Sequence, residues 1–322
     1  MRTAAQQELL FNRLSKRYRH LKKWARRTGT NAFRLYDRDI PEIPLVLDLY
    51  GEAVSGAVYR HTSETDDANW LPAMRDAAAQ ALGIPEARIF LKERRRIRQR
   101  QDGDQYDRIS AQSFFRDVHE RDLRFRVNLS DYLDTGLFLD SRRKRALIRA
   151  GAAGKRVLNL FAYTCSLSVC AAKGGALQVD SVDLSNTYLE WGRVNFALNG
   201  LTASYDNTGM ALIRGDVFQF IAAAAKERRC WDSIILAPPV FSNSKKMRGT
   251  LDIRRDYRAL IQSCLALLAP AGTLWFSSNA KGIRLASGEF PGFAVKDMGS
   301  ALVDEDFKGK KIPACYTLKP LG

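Results

Sequence analysis

Phe11, Leu14, Tyr18 and Leu21 recur at steps of three and four residues, which places one apolar stripe along a helix predicted to end near Gly29. From Phe33 to Val127 the pattern becomes strand-like. "FRLYD", "LVLDLYG", "AVSGAVYR" and "RIFLKERR" alternate apolar and polar positions or carry short apolar runs. A helix is predicted among them over 68–82, with turn signals at Gly51 and Asp102-Gly103. From Asn128 onward the rhythm is strand, helix, strand. Apolar strands are predicted at 156–161, 179–185, 212–216, 231–239 and 272–279, and a helical segment follows each of the first four. Continuous apolar strands separated by helices predict a parallel sheet covered on both faces, a doubly wound Rossmann-like α/β fold. "FAVKDMG" and "ACYTLKP" are expected to close it as an antiparallel pair. The predicted organisation is a helix (1–32), a small α+β module (33–127) and a Rossmann-like domain (128–322).

Composition is that of an ordinary globular chain, 322 residues with 46% hydrophobic and 27% charged. No apolar run approaches the ~18 residues of a membrane helix, and the N-terminal stretch lacks the apolar core of a signal peptide. Cys165, Cys170, Cys230, Cys264 and Cys315 form no C-x-x-C pair, so neither a disulfide framework nor a metal site is indicated. A reduced, cytoplasmic protein is expected.

Charge changes the picture more. A net charge of +16 attracts polyanions, chiefly nucleic acid or an anionic membrane surface. The basic residues cluster. Every charged residue from Arg13 to Arg27 is basic, "KERRRIRQR" spans 92–100, and "RRKR" spans 142–145. Arg13, Arg17, Lys22 and Lys23, with Arg94, Arg95 and Arg96, are the candidate phosphate contacts. The bland alternative for the first helix is a solvated basic face.

Ligands of a doubly wound sheet bind at the carboxyl ends of its strands. Those ends carry Phe161-Ala162-Tyr163-Thr164-Cys165, then Asp183, then Gly215-Asp216, then Ala237-Pro238-Pro239. Asp183 lies about twenty residues beyond the first turn, where a carboxylate can accept from both ribose hydroxyls. Asp216 can accept from an adenine amino group. Leu184, Ser185 and Val217 follow these carboxylates and join the candidate cofactor set. The alternative is that both aspartates merely cap the helices that follow. The first turn has no G-x-G-x-x-G and there is no Walker loop, which disfavours a pyrophosphate or triphosphate. S-adenosylmethionine, an adenosine without phosphate, fits better.

"DYLDTGLFLDSR" (131–142), "VLNLFAYT" (157–164), "SVDLSNTYLEW" (181–191), "PPVFSNSK" (238–245) and "FSSNAKG" (276–282) resemble one family. It is the guanine-N7 half of the bifunctional 23S rRNA methyltransferases of the RlmKL type, with the cytosine-C5 enzymes of the RlmI type more distant. The resemblance covers nearly the whole chain. It implies a class I methyltransferase domain behind an RNA-recognition module, S-adenosylmethionine as methyl donor, and large-subunit ribosomal RNA as substrate. It also implies roles. Phe161, Tyr163 and Thr164 match the first cofactor loop, in which Cys165 is the next position, Asp183 the ribose contact and Asp216 the adenine contact. Asp134, Thr135, Phe138, Asp140 and Arg142 match a lead-in segment that closes over the cofactor. The adjoining "RRKR" reads either as a helix start with solvated charges or as part of an RNA track. Another half precedes this one in bifunctional members, so the chain is expected to be a stand-alone version or a fragment. A separate protein supplying that half is the partner this allows.

Cytosine C5 enzymes add a cysteine thiolate to the ring first. In the cytosine relatives that cysteine follows the fifth strand, where this chain has Ser277-Ser278-Asn279, and Cys264 falls within a predicted helix. Guanine N7 carries a free lone pair and needs neither base nor covalent intermediate, so alignment supplies the acceleration. Ala237, Pro238, Pro239 and Phe241 are the candidate reaction-site residues, with Phe241 either stacking on the flipped base or packing under its loop. Two residues depart from the family. Ala237 stands where members carry aspartate before the two prolines, and Cys165 stands where they usually carry glycine, with a side chain expected to crowd the methionine end of the cofactor. These departures raise the alternative of an RNA-binding assembly protein with weak or lost catalysis.

Overall fold

The computed structural model describes residues 2–59, 67–93, 108–206, 209–243 and 249–321. It divides into two compact units, residues 1–139 with 305–310, and residues 140–304 with 311–322.

The first unit begins with α1 (Arg2–Thr28), β1 (Ala32–Asp37), β2 (Leu45–Tyr50) and β3 (Ala53–Val58), and continues with α2 (Trp70–Leu82) and β4 (Ile89–Glu93). The strands form a sheet in the order β1-β2-β3-β4, antiparallel except for the β3–β4 pair. Of the predicted stripe of α1, Leu14 and Leu21 are buried and Phe11 and Tyr18 half-buried against the same core, in which Leu10 and Trp24, outside the predicted stripe, join Met74 and Ala77 of α2 and Leu35, Leu47 and Val54 of the sheet. A hairpin of β5 (Phe115–Glu120) and β6 (Leu123–Asn128) follows, its tight turn taken by Arg121 with φ 57°. The pattern alone did not separate this hairpin from the preceding strands. The segment 305–310 completes the unit. Asp306, fully buried, accepts from the Arg34 N–H at 3.0 Å, and its carbonyl accepts from Arg17 at 3.3 Å.

The second unit runs α3 (Arg142–Ala150), β7 (Arg156–Leu160), α4 (Ser166–Lys173), β8 (Gln178–Asp183), α5 (Asn186–Leu198), β9 (Met210–Arg214), α6 (Val217–Lys226) and β10 (Trp231–Leu236). A ribbon of β11 (Phe241–Ser242) and β12 (Leu251–Asp252) leads to α7 (Ile253–Leu265) and β13 (Leu268–Ser278), then β14 (Phe293–Asp297), α8 (Gly299–Leu302) and β15 (Ala314–Pro320). Seven strands form one sheet in the order β14-β15-β13-β10-β7-β8-β9, with β13, β10, β7, β8 and β9 parallel. The last two strands are the expected antiparallel pair. Leu158, Leu160, Ile234, Leu236, Leu274 and Phe276 bury their shared face under α6 and α7. The chain lays β8 and β9 to one side of β7 and then returns to place β10 on the other. The order of strands therefore reverses between β7 and β10, and that crevice is where such sheets bind ligands.

Candidate active site at the switch point of the sheet

β7 ends in a loop whose alternate residues take left-handed backbone: Phe161 (φ 58°), Tyr163 (φ 52°) and Cys165 (φ 58°). None is glycine, so each conformation costs about 1–2 kcal/mol that surrounding contacts must offset. Several such contacts are visible. Ala162 N–H donates to the Val182 carbonyl at 3.0 Å. The Tyr163 N–H donates to the Asp183 carboxylate at 2.8 Å. Asn195 of α5 donates to the Thr164 carbonyl at 2.8 Å. The Tyr163 ring meets Tyr188 edge-on, with centroids 4.5 Å apart.

Asp183 joins two strand ends. Besides Tyr163, its carboxylate accepts from the Ser185 N–H at 2.9 Å, and its carbonyl accepts from the Gly215 N–H at 3.0 Å. Burial at the strand end pushes its pKa up to about 6, against the backbone N–H groups of Ser185, Tyr163 and Leu184, which favour the charged form. A carboxylate has about four acceptor positions, so capacity remains for a ligand hydroxyl. Asp183 does not cap α5; Ser185 does, accepting from the Tyr188 N–H. Asp216 is different. It is the N-cap of α6, accepting from the Phe218 N–H at 3.0 Å, so the capping alternative describes its geometry. Val217 packs into the core beneath. Gly215 lies open on its Cβ side, and Phe218, the second residue of α6, is 38% exposed. Sequence reasoning passed over Phe218 because an aromatic residue in "VFQFI" reads as core.

Across the crevice, the Ala237 N–H lies 3.5 Å from the Leu160 carbonyl. Pro238 is buried, while Ala237, Pro239 and Phe241 are half-buried. Phe241 pairs with Asp252 in the β11–β12 ribbon, and the Ile253 N–H donates to the Val240 carbonyl at 3.1 Å, which pins the loop after the prolines.

Cys165 does not face the crevice. Its side chain is fully buried, and a Cβ placed on Gly192 of α5 would lie 2.5 Å from its sulfur. The thiol therefore fills space between α4 and α5, which corrects the expectation that it crowds the cofactor. Burial, with Asp183 nearby, pushes its pKa up to about 12.

The reading of "RRKR" is also corrected. A helix does start there, α3 at Arg142, but both alternatives required exposed charges, and Arg142, Lys144 and Arg145 are buried while only Arg143 is exposed. Arg142 pairs with Asp304 at 3.1 Å. Lys144 donates to the Ser277 hydroxyl at 2.9 Å, and burial lowers its pKa. α3 turns these groups inward because distant parts of the chain supply partners for them. Asp140, half-buried, accepts from Ser141 at 3.2 Å.

Asp134, Thr135 and Phe138 belong to the first unit. Thr135 is buried and shares a 2.8 Å hydrogen bond with Tyr50. Asp134 is half-buried and Phe138 exposed. Of the predicted phosphate contacts, Arg13 is ion-paired to Asp39 at 2.7 Å, and Arg17 donates to the carbonyls of Leu35 and Asp306. Lys22 lies over the Tyr18 ring and Lys23 is exposed. Lys16, Arg19 and Arg26 are exposed too, and with Lys23 they follow steps of three and four along one helix face. Arg94, Arg95 and Arg96 lie outside the described residues. Among the described residues no group of three or more possible metal ligands occurs, and no helix is long and apolar enough to cross a membrane.

The family model described as S-adenosylmethionine-dependent methyltransferase matches residues 74–287. The chain is 43% identical over 318 residues to the ribosomal RNA large subunit methyltransferase K of Neisseria meningitidis serogroup B, covering 96% of this chain and 86% of that protein. It is 43% identical over 305 residues to the ribosomal RNA large subunit methyltransferase K/L of Stutzerimonas stutzeri, covering 94% of this chain but only 40% of that longer protein. Among solved structures, SMU.776, described as a methyltransferase and complexed with SAH, superposes with a TM-score of 0.73 at 25% identity, covering 97% of this chain and 81% of that one.

Proposed function

We propose that this chain, which belongs to the S-adenosylmethionine-dependent methyltransferase family, methylates guanine N7 in large-subunit ribosomal RNA. The observation that carries the reading is Asp183, tied at 2.8 and 2.9 Å to the N–H groups of Tyr163 and Ser185 beside the β7–β10 crevice. The donor set fits an adenosyl group. Asp183 retains acceptor capacity for ribose, Asp216 stands at the next strand end, open space lies beside Gly215, and Phe218 offers a ring to the adenine. The glycine-free first loop offers no bed for a pyrophosphate.

S-adenosylmethionine supplies an electrophilic sulfonium methyl when bound. The protein's task is then to present N7, which already bears a lone pair, along the line of that bond. Pro238, Pro239 and the β11–β12 ribbon hold Phe241 in a fixed loop at the crevice, where its ring stacks on the extruded base. Correct alignment of this kind is worth up to ~7–11 kcal/mol.

The cysteines favour nitrogen over carbon as the methyl acceptor. Cys165, Cys170, Cys264 and Cys315 are buried, and burial raises the pKa of Cys165, Cys264 and Cys315. Cys230 is half-buried but precedes β10, at the opposite end of the strand from Ala237. None is placed as the thiolate that C5 chemistry requires.

Ala237 favours a second reading, an RNA-binding protein with weak catalysis, because alanine cannot accept the hydrogen bonds of the aspartate its relatives are expected to carry. Calorimetric titration with S-adenosylmethionine, followed by transfer of labelled methyl to undermodified large-subunit rRNA, separates the two. Binding and label on guanine N7 are expected. Absence of binding leaves only the second reading, and label on cytosine overturns the assignment of the base.

A further inference from the structure

We propose that a partly open groove between α3 and the strands β13, β15 and β14 is a second RNA-binding surface, one that takes single-stranded RNA. The proposal rests on reading the chain as an RNA methyltransferase. Alternation along these strands sends Leu274, Phe276, Tyr316 and Leu318 into the core under α7. The intervening residues, Thr273, Trp275, Thr317, Lys296 and Lys319, face a groove of about 350 Å3 on the other side, bordered by α3 and by Lys155.

Three properties of this groove match RNA. First, its charge is of one sign: Lys155, Lys296 and Lys319 line it and no carboxylate does. Lys155 acts electrostatically on Asp232, and that carboxylate is occupied by Arg156 at 3.4 Å. Among the described residues none of the three ammonium groups is ion-paired. Second, Trp275 is half-buried on the floor of the groove and makes no ring–ring contact among the described residues, so its face can receive a base. Third, the register aligns these groups. Trp275 pairs with Thr317, Thr317 with Lys296, and Lys319 with Ala294. Lys296 and Lys319 are thus diagonal neighbours, roughly 7–8 Å apart, with the indole one strand away. Two cations flanking an aromatic floor suit consecutive phosphates and an intervening base. An acidic polypeptide would satisfy the lysines and leave the indole unused, which is why RNA is the better occupant.

The groove is distinct from the crevice. Ser233 and Thr273, which line it, pair in the amino-terminal half of β10 and at the middle of β13, whereas Asp183 ends β8 and Ala237 follows the carboxyl end of β10.

The test uses the full chain and a fluorescein-labelled oligouridylate. K155Q/K296Q/K319Q is expected to flatten the dependence of log affinity on log salt by about 2, at ~0.7 per phosphate contact on a single strand. W275L is expected to bind about five- to a hundredfold more weakly, and W275F to bind nearly as well as the native chain. Affinity for S-adenosylmethionine should be unchanged in all three. Native affinity and salt slope in the lysine variant overturn the proposal, as does a native chain that fails to bind the oligonucleotide. Should W275L not fold, the lysine variant decides alone. Polyglutamate competing as well as RNA at matched charge would identify an acidic protein segment as the occupant and overturn the proposal too. Methyl transfer by the native chain judges the enzymatic reading separately. Intact transfer with unaltered oligonucleotide binding in the variants sinks the groove alone, while loss of S-adenosylmethionine binding sinks the enzyme and leaves the oligonucleotide result standing.

Discussion

Cys165 and Gly192 are a matched pair: a methyl group on Gly192 would lie 2.5 Å from the Cys165 sulfur and 2.9 Å from its Cβ. The close approach of α5 to the first loop depends on that missing Cβ. It also accounts for where the thiol goes when cysteine occupies a left-handed position that glycine would fill without strain.

Gly192→Ala is therefore expected to destabilise the protein by about 1–3 kcal/mol through overpacking. Helix propensity alone predicts the opposite sign, a gain of about 0.8–1.0 kcal/mol. Combining it with Cys165→Gly should recover most of the loss. Urea unfolding of the two single variants and the double variant checks the coupling, and additive effects would refute the contact.

Asp183 predicts a pH dependence. Its pKa is raised in the folded state to about 6. The folded protein thus holds a proton that the unfolded chain has already released, so the contribution of this group to stability falls as pH rises from the usual carboxylate range through about 6. Ligand binding runs the other way, because ribose hydroxyls need the ionised acceptor. S-adenosylmethionine affinity should weaken as pH drops below about 6. Asp183→Asn should flatten that profile and lower affinity at neutral pH roughly ten- to more than a hundredfold, the loss of ~1.5–3 kcal/mol from a charged hydrogen bond. Calorimetry across this pH range is the measurement.

Ala237→Asp is expected to raise the single-turnover methyl-transfer rate by roughly ten- to more than a hundredfold, if the restored carboxylate contributes ~1.5–3 kcal/mol in the transition state. S-adenosylmethionine affinity should change little. A rate equal to or below that of the native chain would show that this position does not touch the reacting base.

The basic helix divides into two classes of residue. Neutralising Lys16, Arg19, Lys23 and Arg26 to glutamine should flatten the salt dependence of rRNA binding by about 3 without altering the melting temperature. Arg13→Ala should instead lower stability by about 1 kcal/mol, because it removes a partner of the nearly buried Asp39, while leaving the salt slope close to native. Filter binding at several salt concentrations, with parallel thermal melts, distinguishes the classes.

The strands of the second unit were legible in the sequence because a parallel strand buried on both faces must be apolar along its length, and "RVLNL" and "WDSIIL" are nearly so. The residues after those strands were legible for a related reason: chain order fixes which side chains reach the carboxyl edge, so Asp183, Asp216 and Ala237 could be named without coordinates. The stripe of α1 followed from spacing at Leu14 and Leu21, while the burial of Leu10 and Trp24 beside it did not. What the sequence did not carry was the surroundings of each charge. Arg142 finds Asp304, and Lys144 finds Ser277, across separations of 162 and 133 residues. No local pattern distinguishes these buried side chains from solvated Arg143 beside them. The same holds for Arg13 and Arg17 against Lys23. Nor did it carry the direction of the Cys165 thiol, which is set by a gap in a neighbouring helix. Periodicity is a property of the nearby backbone, so it specifies elements. Burial and pairing depend on which distant atoms arrive, and those the tertiary structure decided.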